Sequence, residues 1–403
     1  MTFNKSTTPK IALVYDRVNT SYGGAEHVLK AIGEIFPKAP LFTSVYSKEI
    51  ALWANTFEIK TTFLQKVTFF RKRHQLIASL MPIAFESLKL DEYDIIISIS
   101  SAEAKGVLTK PNQLHICYML TPTRYIHSHR KEYLSSKNFL GWPIIKQLAN
   151  LMLDYLKWWD KVAAFRPDII IPISNLIKNR IKEFYSIDSE TVIYPPADIA
   201  PRITSKRKVD FPFYLSISRL VNYKKVDLSI RATLKLNKYL VVVGTGVQEN
   251  ELKKIAQNQW TEKTTNETIY SLLDRAKKQN SKIIFTKDLS EPDVNFLLTN
   301  CKAVLMPGEE DFGITGLEAS IFGKPVIVFY TSGVSELLEN GINSIFIKDE
   351  TEQEVIRAIN ELENTNFNQR LIRSKAKYHS TEKFKTQFEN KILESWKHFK
   401  LNS

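Results

Sequence analysis

The chain has 403 residues, 43% of them hydrophobic and 25% charged, with a formal net charge of +13 and two cysteines. That length is too great for one compact core and fits two domains, and the composition is globular rather than disordered. Cys117 and Cys301 are too few and too far apart for a zinc centre or a disulfide framework, and are read as buried thiols of a reducing compartment.

In chain order, "IALVYD" (11–16) reads as a buried strand. "GGAEHVLKAIGEIF" follows, with Val28, Ile32, Ile35 and Phe36 at helical spacing. Further strands are expected at "DIIISIS" (94–100), "LHICYM" (114–119) and "DIIIPIS" (168–174). β-Branched runs of this kind, separated by helices, predict parallel strands covered on both faces. Ser174 is placed to cap the helix beginning "NLIKNRIKEFY". Residues 197–212, polar and without period, read as a linker. The pattern then restarts with strands at 213–218, 238–244, 282–286, 303–307 and 324–329. Residues 257–281 read as a polar insertion, and "TEKFKTQFENKILESWKHFK" as a last helix with length to pack back on the first domain. The organisation expected is a first domain 1–196, the linker 197–212, a second domain 213–378 and a terminal helix within 379–403. Two doubly wound α/β domains facing a central cleft follow from two successive βαβ halves.

Three clusters carry chemistry. In "PGEEDFGITGLEAS" (307–320), Glu310 falls in a strand-to-helix turn and Glu318 in the helix that follows. Ligands of open α/β sheets sit at such places, where a carboxylate accepts hydrogen bonds from sugar or ribose hydroxyls. Gly313 permits close backbone approach. The alternative for Glu318 is an acid favoured by the helix dipole. In "SRLVNYKKVD" (218–227), Arg219 and Lys224 follow the first strand of the second domain and can aim two cations at one diphosphate, the alternative being solvated charges. "SYGGAEH" (21–27) opens a helix with a glycine pair suited to an anion. Two further motifs are rejected. "GTGVQE" lacks the third glycine of a dinucleotide fingerprint, and "GLEASIFGKP" has the wrong spacing for a P-loop. No cluster with metal-ligand spacing is evident, so no metal is expected.

In this order, Arg219 and Lys224 followed by the E-x7-E of Glu310 and Glu318 resemble the retaining glycosyltransferases of family 4, which have the GT-B fold. "YGGAEHVLKAIGEIFPKAPLFTSVY", "LMPIAFESL", "AKGVLT", "WDKVAAFRPD", "VIYPPAD" and "SRLVNYKKVDL" are similar to its O-antigen mannosyltransferase-like branch. The resemblance implies a metal-independent, retaining transferase that needs no cofactor. Its donor would be a nucleotide-diphosphate sugar, GDP-mannose or a UDP-sugar, and its acceptor a lipid-linked or surface-glycan saccharide, as in lipopolysaccharide biosynthesis. Arg219 and Lys224 would hold the donor diphosphate and Glu318 the ribose. Glu310 would position the transferred sugar with the backbone of Phe312, Gly313 and Ile314. Leu289 would lie near the base, and Gly24 would approach the phosphate as the cleft closes. On the acceptor side the candidates are Asp16, Thr121, Arg124 and His127. Relatives of this branch carry histidines where this chain has Tyr15, Ser101 and Leu120. That departure motivates a second reading, a catalytically weak nucleotide-sugar-binding paralogue acting in a glycan-assembly complex.

The positive charge has two other readings. In "FLQKVTFFRKRHQLIASLMPIAF" (63–85), Phe69, Phe70 and Leu76 are mixed with Lys66, Arg71, Lys72 and Arg73. Such a segment can rest on an anionic membrane surface, or pack one apolar face on the sheet with its charges in water. Nucleic acid is set aside because no recognised binding motif accompanies the charge. The first ten residues lack the apolar core of a signal peptide, and no apolar run reaches the roughly 18–20 residues that cross a bilayer. The expected location is cytoplasmic, either free or peripheral on the inner membrane face. No motif specifies the oligomeric state.

Overall fold

The structure, a computed structural model, describes residues 9–20, 22–66, 78–128, 130, 143–197 and 208–402. The chain forms two compact units, one of Met1–Pro196 with Glu382–Ser403 and the other of Ala197–Thr381.

In the first unit the described residues form a six-stranded sheet of β1 (Ile11–Tyr15), β2 (Leu41–Thr43), β3 (Ile59–Thr61), β4 (Ile95–Ser100), β5 (Leu114–Met119) and β6 (Ile169–Pro172). Its order is β3-β2-β1-β4-β5-β6, with every pairing parallel. All residues of β4 and β5 are buried, so neither run alternates apolar with exposed polar residues, and the polar Ser98 and His115 meet each other inside at 2.9 Å. Ser174 caps the helix Asn175–Tyr185, its hydroxyl accepting the Ile177 N–H at 3.2 Å. The helix Thr381–Asn402 contributes Phe384 and Phe388, whose rings meet Tyr118 of β5 at 5.9 and 5.4 Å. Each such buried ring is worth about 1.5–3 kcal/mol. Lys385 reaches Glu34 at 2.8 Å and Lys391 reaches Glu190 at 2.9 Å on either side of this contact.

The second unit holds a seven-stranded sheet among the described residues. Its strands are β7 (Phe213–Ile217), β8 (Tyr239–Val243), β9 (Trp260–Glu262), β10 (Ile283–Thr286), β11 (Val304–Met306), β12 (Val326–Phe329) and β13 (Ser344–Ile347). The order is β13-β12-β11-β7-β8-β10-β9, again parallel throughout. From β7 the chain winds outward in one direction, then returns to β11 and winds in the other. Neighbouring β7 and β11 therefore mark the point where the connections diverge and open a crevice.

The stretch 257–281, read from its composition as a polar insertion, is built into the second unit. It supplies the edge strand β9 and the helix Ile269–Lys278, whose Ile269, Leu272, Leu273 and Ala276 are buried. A three-residue strand with one neighbour needs no apolar run, so composition hid it. Cys117 and Cys301 are buried, and burial pushes both thiols up to about 12. Of the segment 63–85, residues 67–77, with Phe69, Phe70, Leu76 and the three basic residues Arg71, Lys72 and Arg73, lie outside the described residues. No described helix is long and apolar enough to cross a membrane.

Candidate functional site

In the second unit, Arg219 and Lys224 sit in the connection that leaves β7, and Glu310 in the one that leaves β11. Because those strands are neighbours, the two connections meet: Lys224 Nζ lies 2.5 Å from Glu310 Oε2, with 14% and 12% of the side chains exposed. The pair is reachable from solvent yet mostly shielded, a setting in which charge interactions exceed their worth in bulk water. Arg219 is exposed and donates to the Tyr223 hydroxyl at 2.8 Å, while Lys224 Nζ lies 5.4 Å from the Tyr223 ring centre. Tyr223 thus stands between the two cations.

The turn that presents Glu310 is held from below. Its N–H donates to Ser332 Oγ at 3.0 Å, and its carbonyl accepts the Gly333 N–H at 2.9 Å. The Phe312 carbonyl accepts the Val334 N–H at 2.6 Å. Gly313 adopts φ +95°, a left-handed conformation costly for other residues, and hands the chain to the helix Ile314–Ile321. Phe312 is buried; Ile314 and Glu318 are half-buried on that helix. Leu289 is half-buried in the connection between β10 and the helix Glu291–Asn300.

A second layer was not anticipated. Glu350 accepts Lys225 Nζ at 3.1 Å through Oε2 and the Glu309 N–H at 3.1 Å through Oε1, and the Thr331 hydroxyl donates to Glu309 at 2.5 Å. Gly308 is the other missed determinant, since a Cβ there would overlap the Tyr223 carbonyl and the Lys224 backbone. Only a glycine lets the β11 turn touch the β7 turn closely enough for Lys224 to meet Glu310. Gly308→Ala is therefore expected to destabilise the protein by about 1–3 kcal/mol, read as a lowered midpoint in urea unfolding. The glycines of "GTGVQE" have the same use: a Cβ on Gly244 or Gly246 would collide with the carbonyl of Ser218 or Leu220.

In the first unit, Asp16 leaves β1 and Ser101 leaves β4, the strands between which that sheet's winding diverges. Both Asp16 oxygens are engaged: Oδ1 accepts the Ala104 N–H at 2.7 Å, and Oδ2 accepts the Ser101 N–H at 2.6 Å and hydroxyl at 2.9 Å. Burial, then the nearby Glu103, raises the Asp16 pKa against the opposing Arg17 and these hydrogen bonds. Arg17 bonds Glu103 at 2.9 Å, and the Tyr125 hydroxyl donates to the other Glu103 oxygen at 2.5 Å. Tyr15 donates to Glu26 at 3.0 Å, and Glu26 also receives Thr20 at 2.8 Å. Gly24 is the exposed first residue of the helix Gly24–Ile35. Thr121 and Leu120 are buried just after β5, and Arg124 is half-buried in the same connection.

His127 faces inward. Its Nε2 is 2.9 Å from Asp160 Oδ2, its side chain is 5% exposed, and its ring stacks on Phe184 at 4.6 Å. Asp160 also receives the Tyr185 hydroxyl at 2.7 Å, the Thr123 hydroxyl at 2.6 Å and Lys105 Nζ at 2.5 Å. Lys105 in turn donates to the Ala102 carbonyl at 2.6 Å. This buried network joins the connections after β4 and β5 to two helices.

The family glycosyl transferases group 1 matches residues 201–379. The chain is 31% identical over 230 residues to the alpha-1,3/1,6-mannosyltransferase ALG2 of Saccharomyces cerevisiae, covering 49% of this chain and 44% of that protein. It is 26% identical over 156 residues to the O-antigen chain mannosyltransferase C of Escherichia coli, covering 38% of this chain and 37% of that protein. The chain thus spans less than half the length of these curated relatives. Among solved structures, Anabaena Alr3699/HepE in complex with UDP-glucose superposes with a TM-score of 0.66 at 16% identity, over 96% of this chain and 100% of that one. At that identity the likeness shows the fold, which is the GT-B fold of glycosyltransferases. The family match falls within the second unit, the one that holds Arg219, Lys224, Glu310 and Glu318, and it is similarity over residues 201–379 that ties this chain to the glycosyl transferases group 1.

Proposed function

We propose that the protein is a retaining glycosyltransferase that moves a sugar, best read as mannose, from a nucleotide-diphosphate donor to a lipid-linked or surface-glycan saccharide. The observation that carries this reading is the Lys224–Glu310 contact at 2.5 Å, set where the windings of the second sheet diverge, with Arg219 exposed beside it. A diphosphate leaving group needs positive charge on the side from which it departs, and Arg219 and Lys224 supply it without a metal ion. The transferred sugar needs its hydroxyls oriented against that charge, which Glu310 does as an acceptor on a turn held by Ser332, Gly333 and Val334. Glu318, on the helix that begins at this turn, takes the ribose hydroxyls, and Leu289 lies toward the base. The mannosyltransferase relatives support mannose as the sugar, whereas the Anabaena protein is seen with UDP-glucose.

Calorimetric titration with GDP and with UDP tests the donor assignment. GDP is expected to bind at least about tenfold more tightly than UDP. Preference for UDP would replace mannose by a UDP-sugar, and binding of neither would overturn the donor site. The alternative of a catalytically weak nucleotide-sugar-binding paralogue is favoured by Tyr15 and Ser101, whose side chains are occupied with Glu26 and Asp16. Transfer that disappears in Glu310→Ala excludes it.

A further inference from the structure

The helix Pro143–Ala163 packs one side onto the first unit through the buried Leu153, Leu156, Trp159 and Ala163. Along its other side run Leu148 (61% exposed), Leu151 (61%), Tyr155 (40%), Trp158 (63%) and Val162 (42%), continued just beyond the helix by Phe165 (62%). Their spacing alternates three and four residues, which is the a/d repeat of a helix-pairing seam. Isolated exposed apolar residues are ordinary, but a continuous stripe of this length marks an interaction surface.

We propose that this stripe is the seam of a homodimer, in which it lies antiparallel against the same stripe of a second copy about a two-fold axis. In that arrangement Leu148 meets Phe165, Leu151 meets Val162 and Tyr155 meets Trp158 of the second copy, so that each large ring faces an aliphatic chain or packs ring on ring. The surface is self-complementary, as a two-fold interface requires. Charge complementarity fits this partner. Asp154 and Lys161 each precede a stripe residue and so lie on one flank. Antiparallel pairing brings Asp154 of one copy to Lys161 of the other, twice per dimer. The Asp154 side chain is still 60% exposed although Arg130 holds Oδ1 at 2.6 Å, so it remains reachable for Lys161 of the second copy. The six side chains expose on the order of 600 Å², so two copies would bury about 1,200 Å², the lower bound of a stable protein interface.

The full chain is expected to sediment as a dimer at micromolar concentration, and Trp158→Asp to sediment as a monomer with an unchanged circular dichroism spectrum and unfolding midpoint. Asp154→Lys and Lys161→Asp should each weaken dimerisation about tenfold, and the double variant should restore it. That restoration is the signature of the antiparallel pairing, which a general surface effect would not give. A monomer up to about 100 μM, well above the dissociation constants of stable dimers, overturns the proposal. So does a wild-type monomer that binds anionic phosphatidylglycerol vesicles through Trp158, which would reassign the stripe to a membrane.

Discussion

Lys224→Ala is expected to lower sugar transfer by about 10²–10³-fold, the cost of removing one preorganised donor from a developing charge. The loss should appear in kcat, because the negative charge on the departing diphosphate is greater in the transition state than in the bound donor. The same substitution leaves Glu310, now without its 2.5 Å partner, facing the donor phosphates. GDP affinity should therefore fall as well, and more at low salt than at high salt. Glu310→Gln keeps the size of the side chain and an acceptor oxygen but removes the charge, so it separates orientation from electrostatics. A Gln variant that retains a tenth or more of the rate while Glu310→Ala retains none would assign Glu310 to holding a hydroxyl. Circular dichroism spectra unchanged from the wild type would show that both variants keep the fold, so that their rates report on the site. Wild-type rates in Lys224→Ala would remove this residue from the chemistry.

The largest effect on stability is expected from Lys105→Met. Lys105 and Asp160 are 0% and 1% exposed, and the methionine leaves the Asp160 carboxylate buried without its nearest cation. Removing one partner of a buried pair costs about 3–5 kcal/mol. For a unit of this size that is a fall of roughly 10 °C in melting temperature. The Lys105→Met, Asp160→Asn double variant should recover most of the loss, because an amide among Thr123, His127 and Tyr185 is a far smaller burden than an unpaired charge. A Lys105→Met variant as stable as the wild type would show that His127, Thr123 and Tyr185 suffice to hold the carboxylate. The pair also predicts an acid limb. Burial alone would raise the Asp160 pKa, but the Lys105 charge and hydrogen bonds from His127, Lys105 and Thr123 outweigh it and hold the group well below the usual carboxylate range. A depressed carboxylate contributes stability that is fully present above its unfolded value near 4 and is lost as pH falls from there toward the folded value. Asp160→Asn should flatten that part of the profile, measured as urea midpoint against pH below about 5.

His127 shows how little local pattern says about the partner of a side chain. The family resemblance put Thr121, Arg124 and His127 among the acceptor-side candidates, and all three lie in the connection after β5. Yet the His127 ring points to Asp160, thirty-three residues further on. Nothing in the local pattern announces that partner. Asp16 is similar: its position after β1 was evident, but not that Ser101 and Ala104 would occupy both of its oxygens.

Local pattern was enough wherever a run of apolar residues had to be covered on both faces, because such a run has few other fates in a folded chain. That is why β1, β4, β5, β6, β7, β8, β10, β11 and β12 could be placed, along with the Ser174 cap and the polar turns that carry Arg219, Lys224 and Glu310. The strands β2, β3, β9 and β13, at or next to the sheet edges, escaped, since such short segments form strands only when a neighbour presents its edge. Tertiary structure alone decided which connections meet. Sheet order brings the turn after β7 against the turn after β11, and Gly308 permits contact between residues more than eighty positions apart. The same holds for Lys105 and Asp160, fifty-five positions apart, whose charges are tolerable inside the protein only because the fold delivers them to each other. A sequence specifies its strands through nearest neighbours. Charge partners are chosen by the winding of the sheet, a property of the whole chain.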